Sequence, residues 1–140
     1  MTMKTLIPNV MVEDIERTVE WYEDVFDAEV VARLPEDEGE PWWAQVVIGE
    51  ITIMFQTSDS LVDEFPEMEG ESGPGSATLY IKVSDIRHLY DALQKEEVTF
   101  VQDLTESAYG RNQFAIQDCN DYILWFGAEI TNEPEGPIIR

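Results

Sequence analysis

The run Val10-Met11-Val12-Glu13-Asp14-Ile15 returns as Ile81-Lys82-Val83-Ser84-Asp85-Ile86, with the two aspartates 71 residues apart in a chain of 140. A repeat at half the chain length constrains the fold strongly, because one structural unit must serve twice. In each copy the apolar residues alternate, Val10 and Val12 in the first and Leu79, Ile81 and Val83 in the second. That is the period of a strand with one buried face. Each strand runs directly into a helix start. Asp14 suits the first N-cap and either Ser84 or Asp85 the second, since a short side-chain oxygen there accepts an unpaired N–H of the first turn. Helical spacing follows in Ile15, Val19, Tyr22 and Phe26, and again in Ile86, Leu89, Tyr90 and Leu93. Each set forms one apolar stripe that needs a sheet to cover it.

After each helix the pattern returns to strands, predicted over Glu29 to Leu34, Trp42 to Ile48 and Glu50 to Gln56, then Val98 to Leu104, Gln113 to Asp118 and Tyr122 to Phe126. Each half therefore reads β-α-β-β-β. Gly49-Glu50 and Asn120-Asp121 fall between the last two strands of each half, where a hairpin needs residues that tolerate positive φ. The segment Asp59 to Glu67 reads as a short helix or turn with Leu61, Val62 and Phe65 facing in. The expected organisation is a single domain over residues 1–130, made of modules 5–57 and 76–127 joined by a linker at 58–75, with a tail at 131–140. The Pro- and Gly-broken stretches 35–41 and 67–75 are too polar to be packed elements.

Composition narrows the function. Thirty acidic residues against eight basic ones give a formal charge of −22, which disfavours nucleic acid, a partner that requires Lys and Arg to neutralise phosphates. Two readings of the acidity remain: a solvated surface suited to high salt, or a field that attracts a cationic ligand. The carboxylates are spread through every segment, which favours the first. No stretch has the roughly 18 consecutive apolar residues of a membrane span, and the single cysteine, Cys119, excludes an intrachain disulfide. A cytoplasmic location without membrane contact is the expectation.

Several motifs carry a family likeness. They are Val10-Met11-Val12-Glu13-Asp14, the helix segment Trp21-Tyr22-Glu23-Asp24-Val25-Phe26 with Asp27-Ala28, and the stretch Tyr109-Gly110-Arg111-Asn112-Gln113-Phe114-Ala115-Ile116-Gln117-Asp118. In their order and doubling the chain resembles the vicinal oxygen chelate superfamily, which includes glyoxalase I, extradiol dioxygenases and fosfomycin- and bleomycin-resistance proteins. The likeness covers most of residues 5 to 127. It implies an α+β fold in which two βαβββ modules form an incomplete, mostly antiparallel barrel around a small-molecule cavity, often at a homodimer interface. The family's Gly-x-Arg-x-x-Phe strand leads to an Asp-Pro-Asp-Gly turn; here that turn is Asp118-Cys119-Asn120-Asp121, lacking Pro and Gly.

Enzymes of that superfamily hold a divalent metal through His, Gln or Glu on the first and last strands of each module. Carried over by spacing from Asp14 and Asp85, the positions fall at Ile7, Met54, Thr78 and Trp125. None supplies the carboxylate or imidazole that such an ion requires. The resemblance is accordingly closest to the metal-free bleomycin-resistance branch, with no metal, no cofactor and no catalytic residue nominated. His88 is alone, and Cys119 has no evident base. Strand alternation around the metal positions brings Asn9 and Met11, Thr52 and Gln56, Tyr80 and Lys82, and Ile123 to the same face. Trp42 and Trp43 are adjacent and must point oppositely, so one of them belongs there.

The candidate ligand contacts are Asn9, Trp43, Met54, Thr78, Tyr80, Arg111, Phe114 and Trp125. Trp125 and Met54 have a second reading as filler where a metal once sat. Arg111 could pin an anion or carbonyl by bidentate hydrogen bonding, or form an ion pair with a neighbouring acid. The expected function is sequestration of an aromatic or cationic small molecule, with antibiotic resistance as the role the family likeness implies. The alternative is a lyase or dioxygenase with an atypical metal site or metal-free acid/base chemistry. One consequence of the charge is independent of either: raising NaCl from about 0.05 M to about 1 M should raise the melting temperature by on the order of 5 °C, followed by circular dichroism. A fall would show that self-repulsion is not what limits stability.

Overall fold

The computed structural model describes residues 2–71, 74, 77–106 and 112–128. The chain divides into two compact units, 1–73 and 74–140, each built from the repeat. In the first, alternation in Asn9–Val12 (β1) leads through the helix Ile15–Phe26 (α1) to strands Glu29–Leu34 (β2), Trp43–Ile48 (β3) and Ile51–Thr57 (β4). Strand order in the sheet is β1-β4-β3-β2, with β1 parallel to β4 and the other pairs antiparallel. A parallel pair cannot be closed by a tight turn, so the chain between its strands must cross over, and α1 lies on that path. The second unit repeats the plan with Thr78–Val83 (β5), Ile86–Leu93 (α2), Thr99–Glu106 (β6), Asn112–Gln117 (β7) and Ile123–Ala128 (β8), in the order β5-β8-β7-β6.

Local chemistry sets the helix ends. Asp14 leaves the helical region with φ −135° and its carboxylate accepts from Arg17 N at 3.0 Å. Thr18 Oγ1 donates to Asp14 O at 2.7 Å. At the other end Asp27 takes the left-handed conformation, φ 58°, and donates its N–H to Glu23 O, closing carbonyls that the last turn leaves open. In the second unit Asp85, not Ser84, is the cap, accepting from His88 N at 3.1 Å.

Each sheet buries one face under its helix. Val10, Ala44, Val46, Ile53 and Phe55 are buried on that face of the first sheet, and the Tyr22 ring from α1 lies 5.0 Å from Phe55. In the second, Phe114, Ile116, Leu124 and Phe126 are almost wholly buried, and Tyr90 of α2 meets Phe114 edge-on at 5.2 Å. These faces are the cores.

A short helix, Ser58–Glu64 (α3), follows β4, and a 3-10 turn spans Pro66–Met68. Leu61 is buried, as expected, but Phe65 is 49% exposed. It is the C-cap of α3, outside the last helical turn, so the helical spacing that would have turned it inward no longer applies to it. The loop after β2 is clasped by Arg33, whose guanidinium donates to Pro35 O at 3.0 Å and to Gly39 O at 2.6 Å. Among the described residues no helix is long and apolar enough to cross a membrane. The expected tail at 131–140 lies outside the described residues.

Capping energetics give a direct check. Asp14→Ala should cost about 1 kcal/mol in urea unfolding, whereas Asp14→Asn, which keeps the cap and loses the charge, should cost only a few tenths. Equal losses would mean that charge, not capping, is what Asp14 contributes.

Candidate functional site

The register of the parallel pairs decides which side chains share the face turned away from each helix. In the first unit Asn9 stands opposite Met54, and Met11 opposite Gln56. Trp43 is paired with Gln56 and Gln45 with Met54, so all six lie on that face. Asn9 Nδ2 donates to Gln56 Oε1 at 2.8 Å, and Gln56 Nε2 donates to Ser60 Oγ at 2.8 Å and Glu64 Oε1 at 3.1 Å. Gln56 is almost fully buried, and this network satisfies its amide. Trp43 is half-buried on the Met54 face, while Trp42 is exposed and precedes β3.

In the second unit Tyr80 stands opposite Trp125 and Thr78 opposite Ile123. The Tyr80 and Trp125 rings are 4.5 Å apart. Gly127 makes this arrangement possible: a Cβ built there would come within 2.8 Å of the Tyr80 ring atoms Cε1 and Cζ, and closer still to its hydroxyl. Trp125 is half-buried, yet its Nε1 is shielded from solvent and has no hydrogen-bond partner among the described residues. A buried donor without an acceptor costs about 1–3 kcal/mol.

Phe114 does not join this set. It is 0% exposed, pairs with Phe126 and stacks on its ring at 5.0 Å, so it belongs to the face beneath α2, opposite Trp125. Its neighbour Ala115, paired with Trp125, takes the place on the far face. Arg111 lies outside the described residues. Thus Asn9, Trp43 and Met54 share one face of the first sheet, and Thr78, Tyr80 and Trp125 one face of the second.

The metal test follows from the donors. Ile7 precedes β1 and is exposed, and the side chains beside Met54 and Trp125 in the parallel register are an amide and a phenol. A hydrocarbon, a thioether, a hydroxyl and an indole do not fit a hard divalent ion, and among the described residues no three His, Cys, Asp or Glu come together as a ligand group.

Other features are structural. A hollow of about 260 Å³ at the start of α1 is lined by Glu13, Asp14, Glu16, Glu40, Trp42 and Asp59, but Asp14 is committed to its cap and Glu13 accepts from Ser58 Oγ at 2.9 Å. His88 is exposed. The turn that lacks the family's Pro and Gly is held by Asp118, whose carboxylate accepts from Asn120 N at 2.8 Å and Tyr122 N at 2.9 Å. Asp121 supplies the positive φ, 71°. Burial, and secondarily the Asp118 charge, hold the Tyr122 hydroxyl above its usual range.

Sequence reasoning missed Gly127 and the glutamines of the second sheet. Gly127 becomes meaningful only once Tyr80 is known to lie across it. Gly127→Ala should therefore abolish the near-UV circular dichroism of the Tyr80–Trp125 pair at a stability cost of about 1 kcal/mol or less, and should be silent in a Tyr80→Ala background. A full effect in that background would place the clash elsewhere.

The profile of the Glyoxalase/Bleomycin resistance protein/Dioxygenase superfamily matches residues 5–126. Similar solved structures include TioX from Micromonospora sp. ML1, 19% identical with a TM-score of 0.74 over 91% of this chain and 100% of that one. A superfamily member from Sphaerobacter thermophilus DSM 20745 is 17% identical, TM-score 0.73, over 91% and 98%. A glyoxalase-related enzyme from Fulvimarina pelagi is 13% identical, TM-score 0.72, over 99% of both chains. No curated protein matches the sequence. The likeness to these structures concerns the fold, and the family profile spans both repeats. The doubled βαβββ unit thus has its explanation: the chain belongs to the glyoxalase/bleomycin resistance protein/dioxygenase superfamily.

Proposed function

We propose that this chain binds a small aromatic molecule without a metal, sequestering it rather than converting it. The observation that carries the reading is the Tyr80–Trp125 pair, in which Trp125 stands at one of the positions that the family likeness assigns to a metal ligand, Tyr80 packs against it, and Gly127 gives the pair room. Two aromatic rings in tilted contact on a sheet offer faces for a ligand to stack on, and each ring stacked adds about 0.5–1.5 kcal/mol beyond its buried area. A site with no anionic ligand set offers a substrate neither a Lewis acid nor a nominated base, which supports binding over catalysis. Homodimerisation belongs to the same proposal, since superfamily cavities often lie between protomers.

Thermal shift against a panel of aromatic and cationic compounds, bleomycin-type peptide antibiotics included, should return a saturable rise with at least one aromatic class. Trp125→Ala should weaken that binding by about 1 kcal/mol, roughly fivefold. Near-stoichiometric Ni, Zn, Mn or Fe in protein purified without chelator, together with no response across the panel, would overturn the proposal in favour of an enzyme.

A further inference from the structure

The acidity of this chain is absent from its aromatic platform. Thirty of 140 residues are Asp or Glu, yet the far face of the second sheet carries no carboxylate among its described strand residues. Around Tyr80 and Trp125 the register places Gln113, paired with Gly127, Gln117, paired with Ile123, and Gln102, paired with Ala115. Among the described residues the one charged side chain on this face is Lys82, exposed and paired with Gly127 on the other side. Gln45 and Gln56 occupy the far face of the first sheet, so five of the chain's six glutamines stand on these two faces.

Glutamine has the shape of glutamate without its charge, and it offers donors and an acceptor together. A charge on a surface that becomes covered must be desolvated, which is costly unless it is paired, whereas an amide needs only a hydrogen-bond partner. A face kept amide-rich in a chain otherwise filled with carboxylates is therefore matched to a ligand that is itself uncharged. Lys82 opposes a cation. Trp125 Nε1, without a partner among the described residues, can donate to an acceptor such as a carbonyl oxygen, and Tyr80, 42% exposed, leaves its ring open to a stacked molecule. Resting on the binding reading above, we infer that this face takes an uncharged planar molecule bearing amide-type donors and acceptors, stacked on Tyr80 and Trp125, and that it discriminates against cations despite the net charge of −22.

Two tricyclic probes of equal size test this: acridone, neutral with one N–H and one C=O, and 10-methylacridinium, a cation. Tryptophan-fluorescence quenching and calorimetry on the full chain should show acridone bound at least roughly tenfold more tightly. Its Kd should stay within about twofold between low salt and about 0.5 M NaCl. Gln113→Glu, and independently Gln117→Glu, should shift the preference toward 10-methylacridinium. Tighter binding of the cation by the unaltered protein, weakened by salt, would overturn this inference and leave the binding reading intact. Binding of neither probe would overturn this inference, while the binding reading stands or falls on the wider panel of aromatic compounds.

Discussion

Everything that positions the candidate site depends on one constraint, the parallel pairing of the first and last strands of each unit. In β1 with β4 and in β5 with β8 the pairing fixes which side chains stand opposite each other: Asn9 with Met54, and Tyr80 with Trp125. Because side chains alternate, a slip of one residue would send each of these to the helix-covered face and bring Val10 or Ile81 out to replace it. Burial of Val10, Phe55, Leu124 and Phe126 beneath the helices is what makes such a slip expensive. The core under each helix thus holds the far face in register.

Much of this was legible in the sequence, for identifiable reasons. Strand alternation and helical spacing are local, and the caps Asp14 and Asp85 mark boundaries by their own chemistry. Strand limits fell within a residue or two of the expected ones because fraying ends carry little pattern. Phe114 was misread because a motif has no face. Its direction follows from the pairing of β7 with β8, where it meets Phe126. Phe65 was misread because helical spacing was extended through the C-cap of α3. The altered turn at Asp118–Asp121 holds its form without Pro and Gly, since the Asp118 carboxylate accepts from Asn120 N and Tyr122 N.

The two units keep the frame and differ in what they mount on it. At corresponding positions the first has Asn9, Met54 and Gln56, knitted by hydrogen bonds to Ser60 and Glu64 of α3. The second has Tyr80, Trp125 and Gly127, held by ring contact. The near-fully buried Gln56 amide is held by hydrogen bonds that demand fixed geometry, whereas an exposed Tyr over a glycine can move without leaving a polar group unsatisfied. The first face is committed to its own network; the second is the one with capacity left for a ligand.

Net charge and site charge are separate quantities here. A field of −22 acts at long range and governs solubility and salt response, but within a Debye length of about 10 Å the residues facing a bound molecule decide its affinity. Those residues are amides, aromatics and one lysine on the second sheet. Reading ligand charge from composition would therefore assign this chain a cation, while reading it from the register assigns a neutral molecule. The register is the stronger guide because desolvation is felt only by groups that the ligand covers.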